Sequence, residues 1–198
     1  MPSRSYSKTL PAEAFPQTVR PRTPGLLLGP FYPVHLATER QSTEKHRAGA
    51  PSTGGQRLEL SGRVLDTYAQ PLAGACIELW HADPQGRYRH RSQPGVEEIG
   101  FDFAGYEVLT TRAEGSWHAT TEIPGPYSHD GVSRAPHLHF QVTYRHVRLV
   151  TQMFFPDHPM NATDRWYCAV PNRALLVGRK RSDEPGCLAL EWDIVLAG

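Results

Sequence analysis

The stretch "RLELSGRVLD", residues 57–66, followed by "ACIELWHAD", residues 75–83, decides how this chain folds. In the first segment Leu58, Leu60, Gly62 and Val64 alternate with their neighbours, the period of a strand with one buried face. The intervening "TYAQPLAG" has the composition of a turn. The pattern then recurs in "YEVLTT", "SWHATTEI", "HLHFQVTY", "VRLVTQMFF" and "CLALEWDIVLA". Short strands divided by Gly, Pro and Asp turns, with little helical periodicity, predict an all-β fold. The expected architecture is a β-sandwich of mainly antiparallel strands.

Residues 1–55 have a different character. "PQTVRPRTPGLLLGPFYPVH" is rich in proline, which fixes φ and removes backbone donors, so an extended arm is expected there. "ATERQSTEKHRAGAPSTGG" is polar, with room for one short helix before it ends in loop composition. The predicted division is a proline-rich N-terminal arm over 1–55 and a β-sandwich domain over 56–198.

Composition narrows the function classes. With 21 basic and 20 acidic residues, a net charge of +1 points to no nucleic-acid partner and no anionic membrane surface. No apolar run is long enough to span a bilayer, and the first residues carry no signal-type apolar segment, so a cytoplasmic protein is expected. Three cysteines without a C-x-x-C pair indicate neither a disulfide scaffold nor a zinc knuckle. Cys76 and Cys187, inside apolar strand patterns, are expected to be small buried hydrophobes.

Chemistry enters at "RAPHLHF", residues 134–140. On a strand His137 and His139 project to one face. They would either hold a metal or lie on the solvated side of an ordinary strand. Two tyrosines stand where loops leave neighbouring strands, Tyr88 in "GRYRH" and Tyr127 in "PGPYSH". Phenol has a pKa of about 10, so only a strongly Lewis-acidic cation holds it as phenolate at neutral pH. Zinc sites use Cys, His and carboxylates, and a non-haem Fe(II) oxygenase wants two histidines and a carboxylate. If the four residues converge, the metal should be Fe(III).

At these residues the chain resembles the intradiol ring-cleavage dioxygenases, the catechol and protocatechuate 3,4-dioxygenase family. The likeness runs through "LLLGPFYPV", "GRVLDTYAQPLAGACIELWHADPQGRYRH", "TTRAEGSWHATTEIPGPY", "RAPHLHF" and "LVTQMFF", in that order. It implies a mononuclear non-haem Fe(III) held by Tyr88, Tyr127, His137 and His139 on a β-sandwich. It also implies a reaction in which O2 cleaves a catecholic ring between its hydroxyl-bearing carbons, giving a cis,cis-muconate-type product. Tyr127 corresponds to the tyrosine that leaves the metal when substrate binds, while Tyr88 stays. Arg134, three positions before His137, matches the arginine that stabilises charge on the attacked ring, and Gln152 a residue that orients it. Pro30 and Tyr32 would line the ring pocket. His90 and His129 are candidates for supporting the ligands. His81, His118, His146 and His158 are given no role, and Trp80 and Trp117 are expected in the sandwich core.

The chain departs from the family in places. Arg-Ala-Pro-His replaces the usual Arg-Pro-Ala-His, and Ser128-His129 stands where the protocatechuate enzymes carry an aromatic residue. The short arm is closer to protocatechuate 3,4-dioxygenase subunits than to enzymes with a helical dimerisation domain. An oligomer is expected, built from this chain alone or with a related subunit. By resemblance, protocatechuate or another para-substituted catechol leads, then hydroxyquinol, then catechol. In the loop "RSQPGVEEIGFDFAG", Glu97, Glu98 and Asp102 oppose that choice; Arg87, Arg89 and His90 nearby favour it. The rival from another class is a non-catalytic transthyretin-like binding module, which shares the strand-turn-strand pattern but lacks the tyrosine-histidine set.

Overall fold

A computed structural model describes residues 19–34, 55–92 and 105–197. The strands are β1 (Arg57–Leu65), β2 (Cys76–Trp80), β3 (Tyr106–Thr110), β4 (Ser116–Glu122), β5 (Tyr127–His129), β6 (Val132–Arg134), β7 (His137–Tyr144), β8 (Val147–Phe154), β9 (Arg179–Glu184), β10 (Cys187–Glu191) and β11 (Ile194–Val195). Among the described residues a short α-helix, α1, spans Arg165–Cys168.

Two sheets form the sandwich. In the first, β1 pairs antiparallel with β4 along one edge and parallel with β10 and then β11 along the other, and β9 closes on β10. The second has the order β3-β2-β7-β8 and is antiparallel throughout. Leu58, Leu60 and Val64 of the first sheet meet Ile77, Leu79, Leu138, Phe140, Val142 and Met153 of the second in one apolar core. Each such side chain, fully removed from water, contributes about 1.5–3 kcal/mol.

The all-β expectation holds, and the alternation in β1 is the observed one, with Leu58, Leu60, Gly62 and Val64 buried. Three features differ. "CLALEWDIVLA" is two strands: at the break, Trp192 N donates to Ser61 O and the Asp193 carboxylate accepts from Arg63 N at 3.0 Å. The charged edge strand β9 was not anticipated, and neither was the β5–β6 hairpin. The latter turns at Asp130 and Gly131, with φ of 49° and 74°. Positive φ at both central residues is what an Asp-Gly hairpin turn requires. Cys76 and Cys187 are half-buried, not buried. Cys76 shares a face with Glu78 and Trp80, opposite Ile77 and Leu79 in the core.

Residues 19–34 carry no strand: residues 20–26 bond to Thr67, to β11 and to β8, and from Leu27 to Tyr32 the segment crosses the outer face of the second sheet, against Gln152, His139 and Trp80. Thr23 N bonds Val195 O, Leu26 N bonds Val150 O at 2.9 Å, and Thr151 Oγ1 donates to Pro24 O. The rest of the expected arm, residues 1–18 and 35–54, lies outside the described residues, as do Glu97, Glu98 and Asp102. Among the described residues no helix is long and apolar enough to cross a membrane.

Candidate metal centre

Strand β7 is buried on both faces. Its even positions fill the core, so His137, His139 and Gln141 point to the other side, beneath the arm. His137 and His139 are each 2% exposed, which removes the solvated-strand reading. His137 Nδ1 lies 2.7 Å from Ala135 O. A carbonyl only accepts, so the proton sits on Nδ1 and Nε2 carries a lone pair. That Nε2 is 3.1 Å from His139 Nε2, so both rings aim the same nitrogen at one point. Gly29, with φ of 78°, passes over this pair. A Cβ there would meet His139 Cε1 at 3.0 Å, so only glycine lets the arm lie so close.

The tyrosines are brought to the same point by two loops that touch backbone to backbone. Asp83, fully buried, accepts from Gln85 N, Arg87 N and Arg87 Nε, and this closes the turn that presents Tyr88. Gly125 N donates to Asp83 O. A Cβ on Gly86 would lie 2.1 Å from Pro126 O, and one on Gly125 2.2 Å from Pro84 O. Only glycines allow that approach, and it sets the Tyr88 and Tyr127 rings 5.2 Å apart. Tyr127 is 5.7 Å from His137 and Tyr88 6.0 Å from His139, centroid to centroid. Phe31 of the arm stacks on Tyr88 at 4.8 Å, and Trp80 on His139 at 4.9 Å.

This enclosure dictates protonation. Burial, reinforced by the Arg134 charge, pulls the His137 pKa down to about 3, and burial together with its neighbours holds His139 well below the ordinary range. Burial pushes both phenols up, Tyr88 the further; at Tyr127 the Arg134 guanidinium opposes the rise. The imidazoles are therefore neutral donors. The Tyr88 hydroxyl is buried without a hydrogen-bond partner. An orphaned buried hydroxyl costs about 1–3 kcal/mol unless something binds it.

Arg134, at the end of the β5–β6 hairpin, is 5% exposed and engaged on three sides. Its Nε donates to Asp164 Oδ2 at 2.9 Å, Nη2 to Gln152 Oε1 at 2.7 Å, and Nη1 approaches the Tyr127 hydroxyl at 3.4 Å. Gln152 Nε2 donates to Leu27 O and lies 3.4 Å from His139 Nδ1. A cavity of about 200 Å³ opens beside them, lined by Leu27, Pro30, Tyr127, His129, Arg134 and Trp166 among others.

Six expected residues thus meet in one place: Tyr88, Tyr127, His137, His139, Arg134 and Gln152. Pro30 lines the cavity. Tyr32 does not; its hydroxyl donates to the buried Glu78 at 2.6 Å and its ring packs on Trp80. His129 lines the cavity with its ring 5.1 Å from Phe31, whereas the His90 ring reaches Phe31 and Ser92 and its backbone N donates to Tyr88 O at 2.8 Å. Arg87 is committed to Asp83 at 2.8 Å and builds the turn, so it does not wait for a substrate carboxylate. His81 is satisfied locally by Ala82 O and Thr121 Oγ1. Trp117 is in the core as expected, but Trp80 belongs to the site cluster with Phe31, Tyr88 and Tyr106. Asp164, Trp166 and Phe31 escaped the sequence reading. The Asp-Gly pair at the hairpin tip was a legible signal; Asp164, thirty residues from Arg134, carried none.

Two phenols and two neutral imidazoles, enclosed beside a cavity, form a donor set for a hard, strongly Lewis-acidic cation that displaces phenolic protons. Among the described residues no group of three or more His, Cys, Asp and Glu could hold a metal, so the donors next to the histidines are the tyrosines.

Residues 27–198 match a protein-family model described as "Dioxygenase". The chain is 35% identical over 154 residues to the protocatechuate 3,4-dioxygenase beta chain of Burkholderia cepacia, covering 73% of this chain and 66% of that one. It is 28% identical to the alpha chain of the Pseudomonas putida enzyme, covering 92% and 95%. Against the hydroxyquinol 1,2-dioxygenase of Corynebacterium glutamicum identity is 32%, and the chain spans about half that protein, 47%. Among solved structures, the dioxygenase domain of a dioxygenase–carbohydrate-binding protein fusion from Streptomyces sp. SirexAA-E superposes with a TM-score of 0.64 at 28% identity, covering 89% of this chain and 99% of that one. Catechol 1,2-dioxygenase from Pseudomonas arvilla C-1 does so with a TM-score of 0.65 at 25% identity, covering 89% and 62%. The fold, the ring cluster and these likenesses agree: the chain belongs to the intradiol ring-cleavage dioxygenase family.

Proposed function

We propose that this chain cleaves a catecholic ring between its two hydroxyl-bearing carbons with O2, on a mononuclear non-haem Fe(III) held by Tyr88, Tyr127, His137 and His139. The observation that carries this reading is the convergence of two phenols and two imidazole Nε2 atoms beside a ring-sized cavity. Bound there, the metal supplies the Lewis acidity that keeps a chelated diol deprotonated and makes its ring reactive toward O2.

The protein's own residues do the rest. His137 and His139, kept neutral by burial, offer lone pairs at any physiological pH. Tyr127 lines the cavity and Tyr88 lies behind it, so Tyr127 is the ligand that an incoming diol displaces. Its phenolate oxygen would take up one of the two diol protons on leaving, and the other would pass to solvent hydroxide. Arg134 lines the same cavity, and its fixed charge stabilises the anion building on the attacked carbon. Gln152 supports that guanidinium at 2.7 Å. Pro30 and Leu27 of the arm also line the cavity.

The preferred substrate is protocatechuate or another para-substituted catechol, supported by the likeness to proteins named as protocatechuate 3,4-dioxygenase chains. Their alpha and beta names also support an oligomer, from this chain or with a related one. Residues 1–55 act as arm and pocket-lining segment, and 56–198 as catalytic domain. Oxygen uptake over catechol, protocatechuate, other 4-substituted catechols and hydroxyquinol, with products identified by mass and ultraviolet spectrum, tests this. A cis,cis-muconate-type product is expected. No uptake with any member overturns the enzyme in favour of a binding module, and a muconic semialdehyde means cleavage outside the diol.

A further inference from the structure

We infer that Asp164 is a positioning residue for this reaction: its carboxylate holds the Arg134 guanidinium in the orientation that faces the ring, and so acts on turnover through Arg134. The inference rests on the function proposed above. Asp164 is 1% exposed and divides its two oxygens. Oδ2 accepts from Arg134 Nε at 2.9 Å and from Ala135 N at 3.0 Å, so it grips both the guanidinium and the backbone leading into β7. Oδ1 accepts from Trp166 N and Tyr167 N at 3.0 Å, capping α1, whose Trp166 lines the cavity.

Three contacts fix a planar fork, and they are not equal. Gln152 offers Arg134 a neutral acceptor, and the Tyr127 hydroxyl lies at 3.4 Å. Asp164 alone among these three carries an opposing charge, and a buried cation left without one becomes free to turn toward any other acceptor. With Nε anchored on Asp164 and Nη2 on Gln152, Nη1 is the corner directed at the Tyr127 hydroxyl, on the wall of the cavity where the diol would bind.

Asp164→Asn separates the two tasks. An asparagine oxygen still caps α1, but its amide nitrogen accepts from neither Arg134 Nε nor Ala135 N. In the iron-loaded full chain, iron content, the visible band and the anaerobic affinity for catechol, read from the spectral shift on binding, are expected to stay within about twofold of wild type. The kcat falls about 10–100-fold, the usual effect of losing an outer partner of a reacting group. In an Arg134→Ala background the same substitution costs nothing further. A folded Asp164→Asn that turns over like wild type overturns the inference, as does an equal penalty with Arg134 absent, or loss of iron. If the asparagine variant does not fold, Asp164→Glu is read in the same cycle: its smaller loss must also vanish with Arg134→Ala, and an equal loss in both backgrounds overturns the inference. A wild type inactive on every catechol defeats the proposed function; an active one indifferent to Asp164 defeats only this inference.

Discussion

The two faces of β7 are equally buried, by opposite means. Leu138, Phe140 and Val142 are fully buried between the sheets and gain stability from leaving water. His137, His139 and Gln141 are buried under the arm, and for them leaving water is a cost. His137 Nδ1 donating to Ala135 O and Gln141 Nε2 donating to Glu78 offset it; the Glu78 carboxylate also receives the Tyr32 and Tyr106 hydroxyls. One side of a single strand therefore holds the fold together, and the other keeps imidazoles neutral and phenols unsolvated. Burial stabilises only where there is nothing polar to desolvate; where there is, it prepares groups for a ligand.

Substitutions on the two faces should separate these roles. The largest effect is expected at His139→Ala or Tyr88→Phe, which should abolish iron binding, the visible band and turnover together while circular dichroism shows the fold retained. Tyr127→Phe should keep iron, with a shifted band and slow turnover. On the inner face, Phe140→Ala should do the reverse. It should cost about 3–5 kcal/mol in denaturant unfolding, with iron per folded molecule unchanged. Equal iron loss from both faces would dissolve the distinction. Arg134→Ala should leave iron and colour intact and lower kcat about 10²–10³-fold, the effect of removing one preorganised contact to a developing anion.

The last effect is in pH. Burial lowers the His81 pKa from 6.5 to about 4, so between those values the unfolded chain takes up a proton that the folded one refuses. Stability of the iron-free protein is thus complete above about 6.5 and falls as pH drops toward 4, by about 1.4 kcal/mol per unit for this one group. Replacing His81 with Gln should make the slope of unfolding free energy against pH shallower; an unchanged slope would mean that His81 is not held neutral.

How much of this was legible follows from the range of the interactions. The period-two pattern is local, so β1, β2, β7 and β8 stand in the sequence as they do in the fold. The H-x-H spacing and the two tyrosine loops carried the site because the residue types are chemically unusual together. What pattern missed is either unpatterned or remote. The strand "RKRSDE" is an edge whose polar composition hides its period, and it forms because β10 folds back beside it. Tyr32 sits in a segment that does approach the site, but its hydroxyl is claimed by Glu78, which lies 46 residues on. Trp80 has the composition of core, yet the alternation of β2 turns it to the face of Glu78 and onto His139. The Gly86–Pro126 and Gly125–Pro84 contacts that join the tyrosine loops become visible only with both backbones in place.

The most direct measurement is metal analysis of the wild-type chain produced with ample iron, together with its visible and resonance Raman spectra. One ferric ion per chain, with a charge-transfer band whose excitation enhances tyrosinate ring vibrations, is the result predicted for a centre of Tyr88, Tyr127, His137 and His139. A colourless, folded protein that holds no iron, or iron without tyrosinate vibrations, would contradict it.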